Sequence, residues 1–290
     1  MKTFLPSNIR CAAVVSPAGL PNKDELEKGI SLLKNCGITV KVMPHAFGSE
    51  TPCPSYLAAA DEERAADFMQ AYCDDDVDII FSSRGGYGCG RILPLIDWEL
   101  LKSKRPKIVA GYSDLTALFF AMTAKNCGIP LASIMAAKLA DCQERDLQSI
   151  FDACSEKKRT FSLDVIKAGS AKGTILAGNL TVAVSCAGSQ YMPDTKGKIL
   201  IIEDVAEDLY KVDRMFNQLK LNGMLENCSG LVAGYFTDCK KEDINSLLAD
   251  YSRFIPGPVL INFSYGHELP FNAFLYNENA EIKDNMFIIS

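Results

Sequence analysis

Histidine is almost missing from this 290-residue chain, which carries only His45 and His267. Any histidine-assisted nucleophile must use one of these two, and a metal centre built from clustered imidazoles is disfavoured. Paired cysteine motifs are missing as well. The 11 cysteines are scattered, odd in number and never spaced as Cys-x-x-Cys. That pattern fits reduced, mostly buried thiols better than a disulfide framework or a zinc site. There is no basic excess: 30 Lys and Arg stand against 36 Asp and Glu, for a net charge of -6. Without a basic stripe to release phosphate counterions, nucleic acid is excluded as the main partner. Long apolar runs are missing too. The longest, Leu115 to Ala124, contains Thr116 and Thr123 and falls far short of a membrane span. Near the start, Pro6, Asn8 and Arg10 interrupt any signal-peptide core, so the expected location is the cytoplasm.

What is present reads as an ordinary soluble globular protein, 48% hydrophobic and 23% charged. Its length suits one large domain or two modest ones. In the first half, short apolar runs alternate with amphipathic stretches. Strands are expected at Cys11 to Val15, Thr39 to Met43, Val77 to Phe81 and Ile108 to Tyr112. Helices are expected at Asp24 to Cys36, Ala58 to Tyr72 and Leu115 to Lys125. Continuous apolar strands separated by helices imply a parallel sheet covered on both faces. Ligands gather beyond the carboxyl ends of such strands. Two turns fall there: Ser83 to Gly88 after the third strand, and Ser113 after the fourth. Past about residue 140 the texture changes to a charged helix, Glu144 to Lys158, and a polar passage reaching Lys172. The expected division is residues 1–140, a connection at 141–172, and a second α/β unit at 173–290.

Ser113 follows a strand and precedes a helix, the placement of a nucleophile elbow, although no glycine completes Gly-x-Ser-x-Gly. A helix-capping role for Ser113, with Asp114 favouring the first turn, fits the same residues. His267 sits just past a strand ending at Phe263, whereas His45 follows the second strand in Met43-Pro44-His45. A third residue must be a carboxylate that orients the imidazole. Glu203 leads because it ends the strand Ile199 to Ile202. Asp204 would point to the opposite face, and Glu207 starts the next helix. The run Gly85-Gly86-Tyr87-Gly88-Cys89-Gly90 does not fit Gly-x-Gly-x-x-Gly, and no Walker lysine follows it. Its backbone can still approach a ligand closely, either as an oxyanion donor or as a tight turn alone.

Together these segments resemble the serine-type LD-carboxypeptidase family, which includes the microcin C self-immunity proteins. The resemblance is carried by Val15-Ser16-Pro17-Ala18-Gly19, Glu63-Arg64-Ala65-Ala66-Asp67, Arg84-Gly85-Gly86-Tyr87-Gly88 and Arg91 to Asp97. It continues through Gly111-Tyr112-Ser113-Asp114-Leu115-Thr116, Gly178-Asn179-Leu180, Leu200 to Val205, Tyr210, Asp213-Arg214, and Gly266-His267 with Leu269-Pro270. It spans nearly the whole chain in order. It implies a flavodoxin-like N-terminal domain with a parallel sheet, a smaller mixed α/β C-terminal domain, and a homodimer. It also implies a catalytic triad of Ser113, Glu203 and His267, with the backbone amides of Gly86 and Asp114 as oxyanion donors. No cofactor or metal is expected. The implied substrate is murein tetrapeptide, from which the terminal D-alanine is removed during cell-wall recycling. Arg84 is a candidate partner for the substrate carboxylate or an anchor for its own turn.

Two segments depart from the family. Ser133-Ile134-Met135-Ala136 stands where many relatives carry His-Gly-Pro, and Phe271-Asn272 follows Leu269-Pro270 where a glycine is usual. The first bears on pocket shape and substrate preference rather than on the triad, and the second implies a different turn that bears on how the last strands pair. Three other readings compete. One is hydrolysis of peptidyl or aminoacyl sulfamoyl-adenylates, as in the immunity proteins. The others are a non-catalytic D-peptide-binding module and, more distantly, a nucleotide-dependent oxidoreductase. The immunity proteins tend to be longer and to stack the nucleobase on an aromatic loop, whereas the only tryptophan here, Trp98, lies in the N-terminal half.

Overall fold

The computed structural model describes residues 3–290. Its first sheet collects β1 (Cys11–Val15), β2 (Thr39–Val42), β3 (Ile79–Ser82), β4 (Ile108–Gly111) and β5 (Ile129–Ala132). They run parallel in the order β2-β1-β3-β4-β5. This is the flavodoxin-like order, which reverses direction between β1 and β3 and opens a crevice there. β1 and β3 are buried along their whole length, as strands covered on both faces must be. Helices Lys23–Asn35, Asp61–Cys73 and Leu115–Ala124 flank the sheet. The first starts where Asn22 accepts from the Glu25 amide, an N-cap that satisfies one of the helix's free donors.

The second sheet is mixed and has eight strands. β6 (Arg159–Ser162), β7 (Asp164–Lys167), β8 (Ser170–Asn179), β9 (Lys198–Asp204), β10 (Gly230–Phe236) and β11 (Val259–Ile261) come first in the chain. β12 (Phe274–Leu275) then leaves for the first sheet, pairing antiparallel with β5, before β13 (Asn279–Lys283) and β14 (Met286–Ile289) return. The second sheet is ordered β6-β14-β13-β8-β9-β10-β11-β7, with a parallel centre from β8 to β11. The passage 141–172, read from its charge as a connection, folds into a helix over Glu144–Cys154 and edge strands of this sheet. The physical reason lies in Phe161. Its ring packs on Phe263 at 5.1 Å, so one face of an otherwise polar segment is drawn into the core.

The two sheets meet close to the site. Thr116, one turn past Ser113, accepts the Asn179 amide at 3.0 Å. Tyr276 donates to the Ala177 carbonyl and packs edge-on against Phe119. Because β11 belongs to one sheet and β12 to the other, residues 262–273 cross between them and carry His267 across. Among the described residues, no helix is long and apolar enough to cross a membrane.

Candidate active site

Ser113 occupies the turn between β4 and the helix Leu115–Ala124, with φ of 63°. A non-glycine residue there costs about 1–2 kcal/mol, so surrounding structure must hold it. The strain has an identifiable use, since it turns the hydroxyl away from the helix. Asp114 is the cap residue, and no side chain caps the first turn. The Ser113 hydroxyl instead meets His267 Nε2 at 3.0 Å, and His267 Nδ1 meets Glu203 Oε2 at 2.8 Å. A carboxylate on Nδ1 keeps the proton on that nitrogen and leaves Nε2 free to accept the serine proton.

Glu203 lies at the end of β9 with no solvent exposure, and its Oε1 has no hydrogen-bond partner. Burial pushes its carboxyl above the usual range, an effect that His267 opposes. Gly266 makes this packing possible. With φ of 129°, it carries the chain directly over Glu203, where a Cβ would stand 2.9 Å from Oε2. Asp204 faces the other way, as alternation along a strand requires. It accepts from Asn179 Nδ2, the Thr181 amide and hydroxyl, and the Val205 amide. Glu207 pairs with Lys211, and His45 with Asp67 and Glu63, so neither enters this constellation.

The glycine turn after β3 faces the same hydroxyl. Its fold is pinned from two sides: the Gly19 amide donates to the Gly85 carbonyl, and the Cys89 amide donates to Asp114 Oδ2 at 2.7 Å. Asp114 thus ties the Ser113 turn to the glycine turn through its side chain. Burial raises its carboxyl above the usual range, with the Cys89 amide opposing. The backbone amides of Gly86 and Asp114 donate to no protein atom among the described residues. Asp114→Ala should therefore leave the buried Cys89 N–H unpaired and cost about 1–3 kcal/mol. Asp114→Asn, which keeps an acceptor, should lose less. Denaturant melts of the two variants check the order.

A cavity of about 580 Å³ opens in front of Ser113, bounded by Arg84, Gly86, Tyr112, Met135, Lys138 and His267 among others. Arg84 is exposed and donates to the Leu20 carbonyl at 2.8 Å, so it both anchors its loop and lines the cavity. The two departures from the family both reach the site. Met135 forms part of the cavity wall. Phe271 packs edge-on against Tyr112, whose ring lies 5.0 Å from that of His267. Burial pushes the Tyr112 hydroxyl up to about 12, so it stays protonated at neutral pH. Sequence reasoning does not single out Tyr112, Glu25 or Lys138. Adjacency to Ser113 is a signal for the first, whereas nothing marks the pair Glu25 and Lys138, which lie 113 positions apart.

The chain as a whole has known relatives. Residues 12–133 match the profile of the LD-carboxypeptidase N-terminal domain, and residues 172–282 that of the LD-carboxypeptidase C-terminal domain. A Bacillus subtilis protein named probable murein peptide carboxypeptidase is 33% identical, over 89% of this chain and 83% of its own. The murein tetrapeptide carboxypeptidase of Pseudomonas aeruginosa is 26% identical, over 98% of this chain and 96% of its own. The crystal structure of muramoyltetrapeptide carboxypeptidase from Oxalobacter formigenes superposes with a TM-score of 0.84 at 26% identity, covering 96% of this chain and 97% of that one. Both halves of the chain thus match the profiles, in order. The chain belongs to the LD-carboxypeptidase family of serine peptidases.

Proposed function

We propose that this enzyme removes the terminal D-alanine of murein tetrapeptide in the cytoplasm through an acyl-enzyme formed on Ser113. The observation that carries the proposal is the continuous chain Ser113–His267–Glu203, with links of 3.0 and 2.8 Å. Ser113 Oγ attacks the carbonyl carbon of the bond to D-alanine while His267 Nε2 takes its proton. The unpaired amides of Gly86 and Asp114 face the oxygen that gains charge, a contribution of about 3 kcal/mol per donor in comparable sites. Collapse of the tetrahedral intermediate breaks the C–N bond, and His267 returns the proton to the departing amine. Water then enters by the same route, giving up a proton to His267 as it attacks the ester. Ser113 is regained and the tripeptide leaves as a carboxylate. Glu203 holds the imidazole and offsets its charge in both halves. An exopeptidase must also hold the terminal carboxylate, and Arg84 offers a cation on the cavity wall.

Incubating the purified enzyme with murein tetrapeptide should yield tripeptide and free D-alanine in equal amounts by mass spectrometry. Aminoacyl sulfamoyl-adenylates, offered in parallel, should be cleaved far more slowly. Rapid cleavage of those and none of the tetrapeptide would reassign the substrate while leaving the mechanism intact.

A further inference from the structure

Two charged side chains in the cavity have no part in the chemistry above. Glu25, in the first turn of the helix Lys23–Asn35, and Lys138, in the 3-10 turn Ala136–Asp141, both line it with Ser113 and His267. Lys138 Nζ donates to Glu25 Oε1 at 2.7 Å, and Asp141 Oδ2 stands 3.8 Å away. A smaller cavity of about 190 Å³ adjoins the first, and the two share only Tyr112, Lys138 and His267. Lys138 therefore stands at the junction of both spaces, in company with the catalytic histidine.

The placement of the pair is built into the backbone. A Cβ on Gly29 would lie 1.8 Å from the Ala136 carbonyl oxygen, so helix and turn are in direct main-chain contact. The Ala137 amide donates to the Ser83 carbonyl, which ties the same turn to the end of β3. The side chains, by contrast, remain free to change partners, Lys138 being 54% and Glu25 35% exposed. Exposed ion pairs of this kind contribute little to stability, so exchanging their partners costs little. A ligand bearing only an ammonium group would compete for Glu25 and face the positive charge of Lys138. One bearing only a carboxylate would face Glu25 in the same way. A ligand carrying both groups satisfies both side chains at once.

We propose that Glu25 and Lys138 read the side chain of the residue before the scissile bond, selecting one that ends in both an ammonium and a carboxylate. In a murein peptide that side chain is diaminopimelate, and the one rejected is lysine. The ammonium pairs with Glu25 and the distal carboxylate with Lys138, while Arg84 is left for the terminal carboxylate. The inference rests on the tetrapeptide reading above and deepens it.

The test compares two synthetic murein tetrapeptides that differ only in their third residue, meso-diaminopimelate or L-lysine. Wild-type enzyme should favour the first at least tenfold in kcat/KM. Lys138→Gln should lose that preference by slowing the diaminopimelate peptide while leaving the lysine peptide unchanged or faster. Lys138→Arg, which keeps the cation, should retain the preference. A wild-type preference below tenfold, or a Lys138→Gln loss equal for both peptides, would overturn the inference and leave the pair as a clip between helix and turn. Cleavage of neither peptide would instead remove the tetrapeptide reading, and this inference with it.

Discussion

Ser113→Ala is expected to lower turnover of murein tetrapeptide about a million-fold, the scale seen when a triad nucleophile is removed. The loss is of one covalent bond, since without Oγ there is no acyl-enzyme to divide the reaction into two easier steps. The cavity of about 580 Å³ and its lining stay in place, so substrate should still bind with nearly unchanged affinity. The backbone at φ of 63° already accepts a Cβ, and alanine adds no new clash. Stability should therefore shift by no more than about 1 kcal/mol, the net contribution of the hydroxyl's bond to His267. His267→Ala should be comparably severe, and the double variant scarcely worse than either single one. Groups acting as one unit do not add. Free D-alanine release, followed by mass spectrometry over long incubations, reads all three. A Ser113→Ala enzyme within tenfold of wild type would remove Ser113 from the nucleophile role.

Much of this arrangement is legible in the residues alone, for a physical reason. β1, β3 and β4 are apolar runs ended by turn residues, with a helix following each. Alternation along β9 correctly assigns Glu203 and Asp204 to opposite faces, and they take separate partners. Other elements lack such a local signal. β5 contains Pro130, which argues against a central strand, yet it pairs with β4 on one side and only the two residues of β12 on the other. The helix Leu180–Cys186 is rich in β-branched residues and forms because Asn179 caps it by accepting the Val182 amide. β6 and β7 are hidden by charge that the fold pairs: Arg159 donates to the Ala273 carbonyl and Glu278, and Lys167 to the Ile255 carbonyl. The pair Glu25 and Lys138 depends on a main-chain contact at Gly29 that no periodicity announces. Local pattern specifies the strand-end turns; which distant charges share a cavity is decided by packing.

Glu203→Gln separates what the carboxylate does for catalysis from what it does to stability. The amide keeps the shape of the side chain but can present an N–H to His267 Nδ1, which would force the imidazole into the tautomer that cannot accept from Ser113. Turnover should fall about ten-thousand-fold, as when a triad carboxylate becomes an amide elsewhere. Stability should move in the opposite direction. Burial raises the Glu203 carboxyl, with the His267 contact only partly compensating, so the folded protein disfavours the ionised form. A carboxyl raised on folding stabilises the fold fully only below its unfolded value of about 4.3. That contribution disappears as pH climbs through the raised folded value. The substituted amide does not titrate. The melting temperature of Glu203→Gln relative to wild type should therefore increase as pH rises from about 4 toward neutrality, then level off. Paired thermal melts across that range, with turnover measured on the same samples, test both halves. A variant less stable than wild type at neutral pH would mean that the ion pair with His267 outweighs the burial of the charge. A variant that kept turnover would remove Glu203 from the triad. The expected outcome, lost activity with gained stability, follows from an active site that keeps a buried charge where the fold alone would not place one.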